Sequence, residues 1–327
     1  MASGQLSNFL SIDVEDYFQV SAFEDISPRS RWDGFEPRVE RNTDRVLGCL
    51  ADDAVKGTFF VLGWVAERFP GLVRRIAEEG HEIACHGLNH ERLTSISRES
   101  FRQDVRRGKQ LLEDLTGKPV WGFRAPSFSI TAETLWAYDE LLDAGYRYDS
   151  SVFPVKHDFY GLPDWPDSPF WVQSSGDGCW APDGFPALEG GYRMPSCRGR
   201  ILEIPIPTLR LLGRKWPIAG GGYFRLYPYC LTRWGLRRIN VVERKPFIFY
   251  LHPWEFDPRQ PVMRGARLKS RLRHYLNLEK TEGRFRSLLK DFAFGRICDA
   301  LVSPNAPHIE DSQPNDAGQG TFIFPPD

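Results

Sequence analysis

The chain has 327 residues, 41% of them hydrophobic and 26% charged, with a formal net charge of −1. That length allows one large domain or two modest ones around a sizeable core. A charge so near zero gives no general electrostatic attraction to nucleic acid or anionic membrane. The six cysteines, Cys49, Cys85, Cys179, Cys197, Cys230 and Cys298, contain no C-x-x-C pair, which fits thiols in a reducing compartment better than a disulfide framework. No apolar stretch approaches the ~20 residues of a membrane span, so no transmembrane segment is expected. The first residues lack the basic start and long apolar run of a signal peptide, and the chain reads as cytoplasmic or peripheral to the inner membrane.

In chain order, residues 9–13 are a short apolar run, predicted as a buried strand that ends in the acids Asp13, Glu15 and Asp16. Residues 21–37, with Pro28, Gly34 and Pro37, read as loop. Residues 38–52 place Val39, Val46, Leu47 and Leu50 at helical spacing. A second buried strand is predicted over 57–63, then a helix over 64–79 interrupted at Pro70 and stopped by Gly80. A third strand leads to His86 and His90. Ser97 opens a helix that runs through Leu115, with Gly117 as its stop. Residues 120–124 form another strand, Thr131 caps a helix to Ala144, and 146–149 is a strand end. This alternation of short apolar strand and amphipathic helix predicts parallel β/α units.

From Phe153 to about residue 200 the rhythm gives way to Pro, Gly, Trp and Asp, read as a long aromatic-rich insertion over one face. Strands resume at 201–206 and 246–251, with helices at 231–240 and 282–292. Residues 1–302 are thus expected to form one catalytic domain, and 303–327 a polar, mobile tail.

His86 and His90 are four apart, a spacing that would put both imidazoles on one helical face and let them grip one metal ion. Such a pair alone is equally two polar residues at a strand end. Its weight comes from company: Asp13, Glu15, Asp16, Arg124, Asp149 and His252 also fall where predicted strands end. In a parallel β/α barrel those ends open on one face, and catalytic residues are drawn from several of them.

The motifs also resemble a known family. His86-Gly-Leu-Asn-His90 is similar to the metal motif H-[ST]-x-x-H of the polysaccharide deacetylases, the NodB-homology domain of carbohydrate esterase family 4. Ser11-Ile-Asp13-Val-Glu-Asp16-Tyr resembles the acidic first motif, Arg124-Ala-Pro-Ser-Phe-Ser129 the arginine motif, Tyr148-Asp149-Ser-Ser151 the aspartate motif, and Leu251-His252-Pro-Trp-Glu-Phe256 the last histidine motif. The resemblance runs from about Phe9 to Phe294 and is nearest the subfamily found beside exosortase and exopolysaccharide gene clusters. It implies a distorted (β/α) barrel of α/β class and a metal-dependent removal of N-acetyl groups from an amino-sugar polysaccharide or its lipid-linked precursor. N-acetylated carbohydrate is the implied partner, together with the exopolysaccharide synthesis machinery.

By that resemblance, His86 and His90 hold a divalent ion, most simply Zn2+, with a carboxylate from Glu15 or Asp16. In a strict strand Asp13 and Glu15 share a face and Asp16 points away, but a bend there keeps both open. Asp13 is the implied base, held by Arg124; His252 is the acid, supported by Asp149. Tyr223 and Trp254 are candidate substrate-binding faces. The tract Gly220-Gly-Gly-Tyr-Phe-Arg-Leu226 lacks phosphate-loop spacing and reads as a place of close backbone approach. The chain departs from the family at I-D-V-E-D-Y, where T-F-D-D-G is usual, and at Gly87, where a hydroxyl residue is usual. Two other readings stay open: an amidohydrolase or deformylase acting on a small cyclic amide or formamido sugar, and a non-catalytic sugar-binding scaffold.

Overall fold

The computed structural model describes residues 7–157, 160–174, 180–182 and 199–302. The tail expected at 303–327 lies outside them, as do 158–159, 175–179 and 183–198 of the expected insertion. In chain order the strands are β1 (Asn8–Val14), β2 (Thr58–Val61), β3 (Glu82–Cys85), β4 (Gly122–Phe123), β5 (Tyr148–Asp149), β6 (Phe170–Ser174), β7 (Trp180–Pro182), β8 (Arg200–Glu203), β9 (Thr208–Leu211), β10 (Arg214–Pro217), β11 (Ile248–Leu251) and β12 (Phe294–Gly295). The path β11-β1-β2-β3-β4-β5-β8 is parallel throughout, and β12 pairs with the start of β1 on the edge opposite β11. The result is a mixed α/β, barrel-like fold with its parallel sheet wrapped by helices.

The crossovers are α1 (Val39–Asp52), α2 (Gly63–Arg68), α3 (Pro70–Glu78), α4 (Arg98–Thr116) and α5 (Ala137–Asp143). Strand β1 is buried along its whole length because both its faces are covered, which is why it reads as an apolar run. Helix α4 begins where the Ser97 hydroxyl accepts from Ser100 N at 3.1 Å, and ends at Gly117 with φ of 64°. Phe69 separates α2 from α3, with Pro70 opening the second.

Four expectations differ from the structure. Residues 131–136 are turns rather than helix, because Thr134 Oγ1 accepts from Thr131 N at 2.8 Å and bonds the local backbone instead. The insertion contributes strands: β6 pairs antiparallel with β8, and β7 with β6, extending the sheet. Strands β9 and β10 form an unexpected hairpin, whose turn residues Leu212 and Gly213 have φ of 51° and 73°, as a type I′ turn requires. Finally, residues 86–90 are loop, not helix. Gly87 (φ 72°) and His90 (φ 56°) curl the chain back so that His90 faces His86.

The C-terminal segment adds α6 (Gly221–Leu226), α7 (Tyr229–Val241), α8 (Leu268–Tyr275), α9 (Leu278–Asp291) and α10 (Cys298–Val302). Among the described residues, no helix is long and apolar enough to cross a membrane.

Candidate metal and proton-transfer site

Five strand ends converge on one place: β1 delivers Asp13 and Glu15, β3 His86, β4 Arg124, β5 Ser150, and β11 His252. The backbone ladder fixes two of these directly, since His86 N donates to Val61 O (3.0 Å) and Arg124 N to Cys85 O (2.9 Å).

Glu15, His86 and His90 each aim one donor atom at a common point, and those atoms lie within 4.8 Å of one another. His86 Nδ1 is 2.8 Å from the Arg124 carbonyl oxygen. A carbonyl can only accept, so Nδ1 carries the proton and Nε2 offers a lone pair. Glu15 Oε2 is buried 2.7 Å from His90 Nε2 without hydrogen-bond alignment, and has no other partner. Buried polar atoms are rarely left so. Burial pushes the Glu15 carboxyl up, but His90, with His252 and His86, overrides it and holds the group down to about 2. Burial pushes His86 down to about 4, with His90 adding to the effect, so its imidazole is neutral as a ligand must be. The donor set therefore fits a divalent cation of borderline softness.

Asp16 is elsewhere. Its Oδ2 accepts from Arg38 N (2.6 Å) and Val39 N (2.9 Å) at the start of α1, and its Oδ1 from Tyr17 N (2.9 Å). It stabilises a helix start and is not among the clustered donors.

Beside the donors, Asp13 Oδ1 pairs with Arg124 at 2.5 Å. Arg124 is fully buried, and its remaining donors reach Ser11 Oγ (3.0 Å), Ser150 O (3.0 Å) and Ser150 Oγ (2.8 Å). Its guanidinium lies 4.1 Å from the Phe60 ring centroid. Ser11 and Ser150 are site residues that sequence reasoning passed over.

On the other side, His252 Nε2 is 3.9 Å from Asp13 Oδ2 and 3.7 Å from Glu15 Oε1. Its partner corrects an expectation. Asp149 does not reach His252: its Oδ1 accepts from the Ser151 hydroxyl (2.7 Å), its Oδ2 from Ser151 N (3.0 Å). Burial pushes both Asp149 and the adjoining Glu203 carboxyl up, Asp149 to about 6. The carboxylate on His252 is Glu255, whose Oε1 is 2.8 Å from Nδ1 and accepts from His252 N at 3.0 Å. Glu255 is in turn bonded by Arg225 Nε of α6 at 2.6 Å. Burial disfavours the His252 cation, but Glu255, Glu15 and Asp13 outweigh it and raise the group to about 9. The sequence signal for Glu255 was its place three residues after His252, the spacing of a capping box.

Trp254 is also placed differently. It is 5% exposed; His252 stacks on it at 5.2 Å, His274 at 4.1 Å, and its Nε1 donates to Glu15 Oε1 at 3.3 Å. So buried a ring offers no face to a sugar, and its role toward the site is the hydrogen bond to Glu15. Tyr223 is partly exposed, with the Arg273 guanidinium 5.7 Å from its ring. A Cβ on Gly220 would overlap the Tyr250 ring and one on Gly221 the Glu255 carboxylate, so this tract is a close backbone approach to the site.

Residues 22–148 match the family model described as polysaccharide deacetylase, and 181–302 match a domain of unknown function, DUF3473. A peptidoglycan-N-acetylglucosamine deacetylase of Bacillus cereus is 35% identical over 99 residues, 30% of this chain and 36% of that protein. A chitooligosaccharide deacetylase of Rhizobium leguminosarum bv. trifolii is 41% identical over 64 residues, 20% of this chain and 30% of that protein. The chain thus spans about a third of the length of either relative. A Mycobacterium smegmatis crystal structure described as a polysaccharide deacetylase superposes with a TM-score of 0.53 at 20% identity, covering 90% of this chain and 89% of that one. These findings support a polysaccharide deacetylase domain with the fold described above. The site draws on both matched segments: His86, His90 and Arg124 come from the first, and Arg225, His252 and Glu255 from the second.

Proposed function

We propose that residues 1–302 form one catalytic domain, a metal-dependent hydrolase that removes N-acetyl groups from an amino-sugar polysaccharide or its lipid-linked precursor during exopolysaccharide biosynthesis. The observation that carries this reading is the trio Glu15, His86 and His90 flanked by the Asp13–Arg124 pair and the His252–Glu255 pair. Names of relatives that deacetylate peptidoglycan and chitooligosaccharide support the substrate class. The subfamily resemblance of the sequence motifs supports the exopolysaccharide role.

In this reading Glu15, His86 and His90 would hold the cation, for which zinc suits two imidazoles and a carboxylate. When bound, it supplies Lewis-acid polarisation of the amide carbonyl and a lowered pKa for water. Asp13 Oδ2 takes the proton of the attacking water, while Arg124 fixes the carboxylate through Oδ1. His252 Nε2 gives its proton to the departing amine nitrogen as the C–N bond breaks, releasing acetate and a free amino sugar. Glu255, held by Arg225, orients that imidazole and favours its charged form. Tyr223 is the remaining candidate for contact with sugar. The test is acetate release from N-acetylated chitooligosaccharides. Release that a chelator abolishes and zinc restores is expected; formate or ureide turnover with no acetate release would overturn the assignment.

A further inference from the structure

The near-zero net charge conceals an uneven distribution. Between Asp257 and Glu279 the chain carries Arg259, Arg264, Arg267, Lys269, Arg271 and Arg273 and no carboxylate. Among the described residues, only Arg267 of these six comes within ion-pair reach of an acid, Asp25 at 3.8 Å, and both are exposed. Helix α8 lies inside this stretch. Leu268 and Leu272 are 69% and 65% exposed, Leu276 just past its end is 38% exposed, and Val262 ahead of it 53%. Residues four apart stack along one helix face, so the three leucines make an apolar stripe on a cationic rim. Single exposed leucines are ordinary, whereas a rimmed stripe marks a surface that meets something.

This face is not exposed through looseness, because the opposite one is committed. His274 is 4% exposed, stacks on Trp254 at 4.1 Å, and its Nε2 is 2.8 Å from Gln260 Oε1. The Tyr275 hydroxyl donates to Pro261 O (2.9 Å) and accepts from Met263 N (2.8 Å). The stripe therefore stands on a fixed scaffold, and the stack His274–Trp254–His252 ties it to the wall of the candidate site.

We infer that the face formed by Leu268, Leu272 and Leu276 with its basic rim docks on an anionic lipid surface. A nucleic acid would leave the leucines in water, and a neutral apolar partner would leave five of the six cations without an acid. An anionic headgroup layer over acyl chains satisfies both. Docking would hold the site's His252 wall close to the headgroups. The inference concerns binding alone and does not depend on the deacetylase reading.

The test is co-sedimentation of the full chain with vesicles of phosphatidylcholine alone, or with about a third phosphatidylglycerol. The wild type is expected to partition about tenfold more strongly to the anionic vesicles, and less so in high salt. The double variant Leu268→Ser/Leu272→Ser should lose that partitioning about tenfold while keeping the wild-type melting curve, since both side chains are exposed. Equal sedimentation with and without anionic lipid, or a double variant that binds like wild type, overturns the inference. A wild type that ignores vesicles yet forms a dimer which the double variant abolishes would also overturn it, and would assign the stripe to self-association.

Discussion

Glu255 is the residue whose loss the structure prices most clearly. It is fully buried between Arg225 (2.6 Å) and His252 (2.8 Å), with Arg225 itself 2% exposed. Glu255→Gln keeps the volume but takes the negative charge from between two cations. Two charges in such contact interact by about 4 kcal/mol at an effective dielectric near 20. Deleting one partner of a buried pair costs about 3–5 kcal/mol, mostly by stranding the other. The variant should therefore melt on the order of 10 °C lower. It should also lose about a hundredfold in turnover, because the imidazole loses the group that orients its Nδ1. The Arg225→Met change should cost a similar amount of stability. The double variant Arg225→Met/Glu255→Gln should cost about 2 kcal/mol or more below the sum of its singles, since neither charge is then left alone. Calorimetry and acetate release read both effects. Additive melting shifts, or a Glu255→Gln enzyme with wild-type rate and stability, would refute the reasoning.

Three further outcomes separate neighbouring residues. Asp13→Asn should keep bound metal yet lose about 10²–10⁴-fold in turnover, and an undiminished rate would remove Asp13 as base. Glu15→Gln should lose the metal, whereas Asp16→Ala should keep it and instead lose about 1–2 kcal/mol from the start of α1; the reverse pattern would exchange their roles. His81, 3% exposed, accepts from Gly57 N at 3.1 Å through Nδ1, and burial pushes it from 6.5 down to about 4. Between those values the unfolded chain takes a proton that the folded chain refuses, so stability falls as pH drops through the window. The His81→Gln variant lacks this linkage, so the wild type should lose about 3 kcal/mol relative to it between about pH 7 and 4. Parallel stability curves would contradict the assignment.

Much of this arrangement was legible in the sequence because the chemistry limits the residue types. Acids, histidines and an arginine at strand ends are few, and a strand such as β1 announces itself by a continuous apolar run. What stayed hidden was orientation. Asp149 and Glu255 are both carboxylates near strand ends, but the Asp149 side chain turns back to Ser151 and Glu203, while a tight turn at 253–256 brings Glu255 under His252. Similarly, the spacing of His86 and His90 invited a helix, and only the positive φ values at Gly87 and His90 reveal that a loop brings them together. Strands β6 and β7 escaped notice because their pairing with β8 is long-range, and Pro- and Gly-rich flanks masked a short alternation.

The central claim is that Glu15, His86 and His90 hold one catalytic cation, and elemental analysis of the purified protein tests it most directly. The account predicts about one divalent ion per wild-type chain and less than about a tenth as much in a folded His86→Ala variant. A wild type that stays metal-free after zinc loading, or a variant that retains the ion, would contradict it.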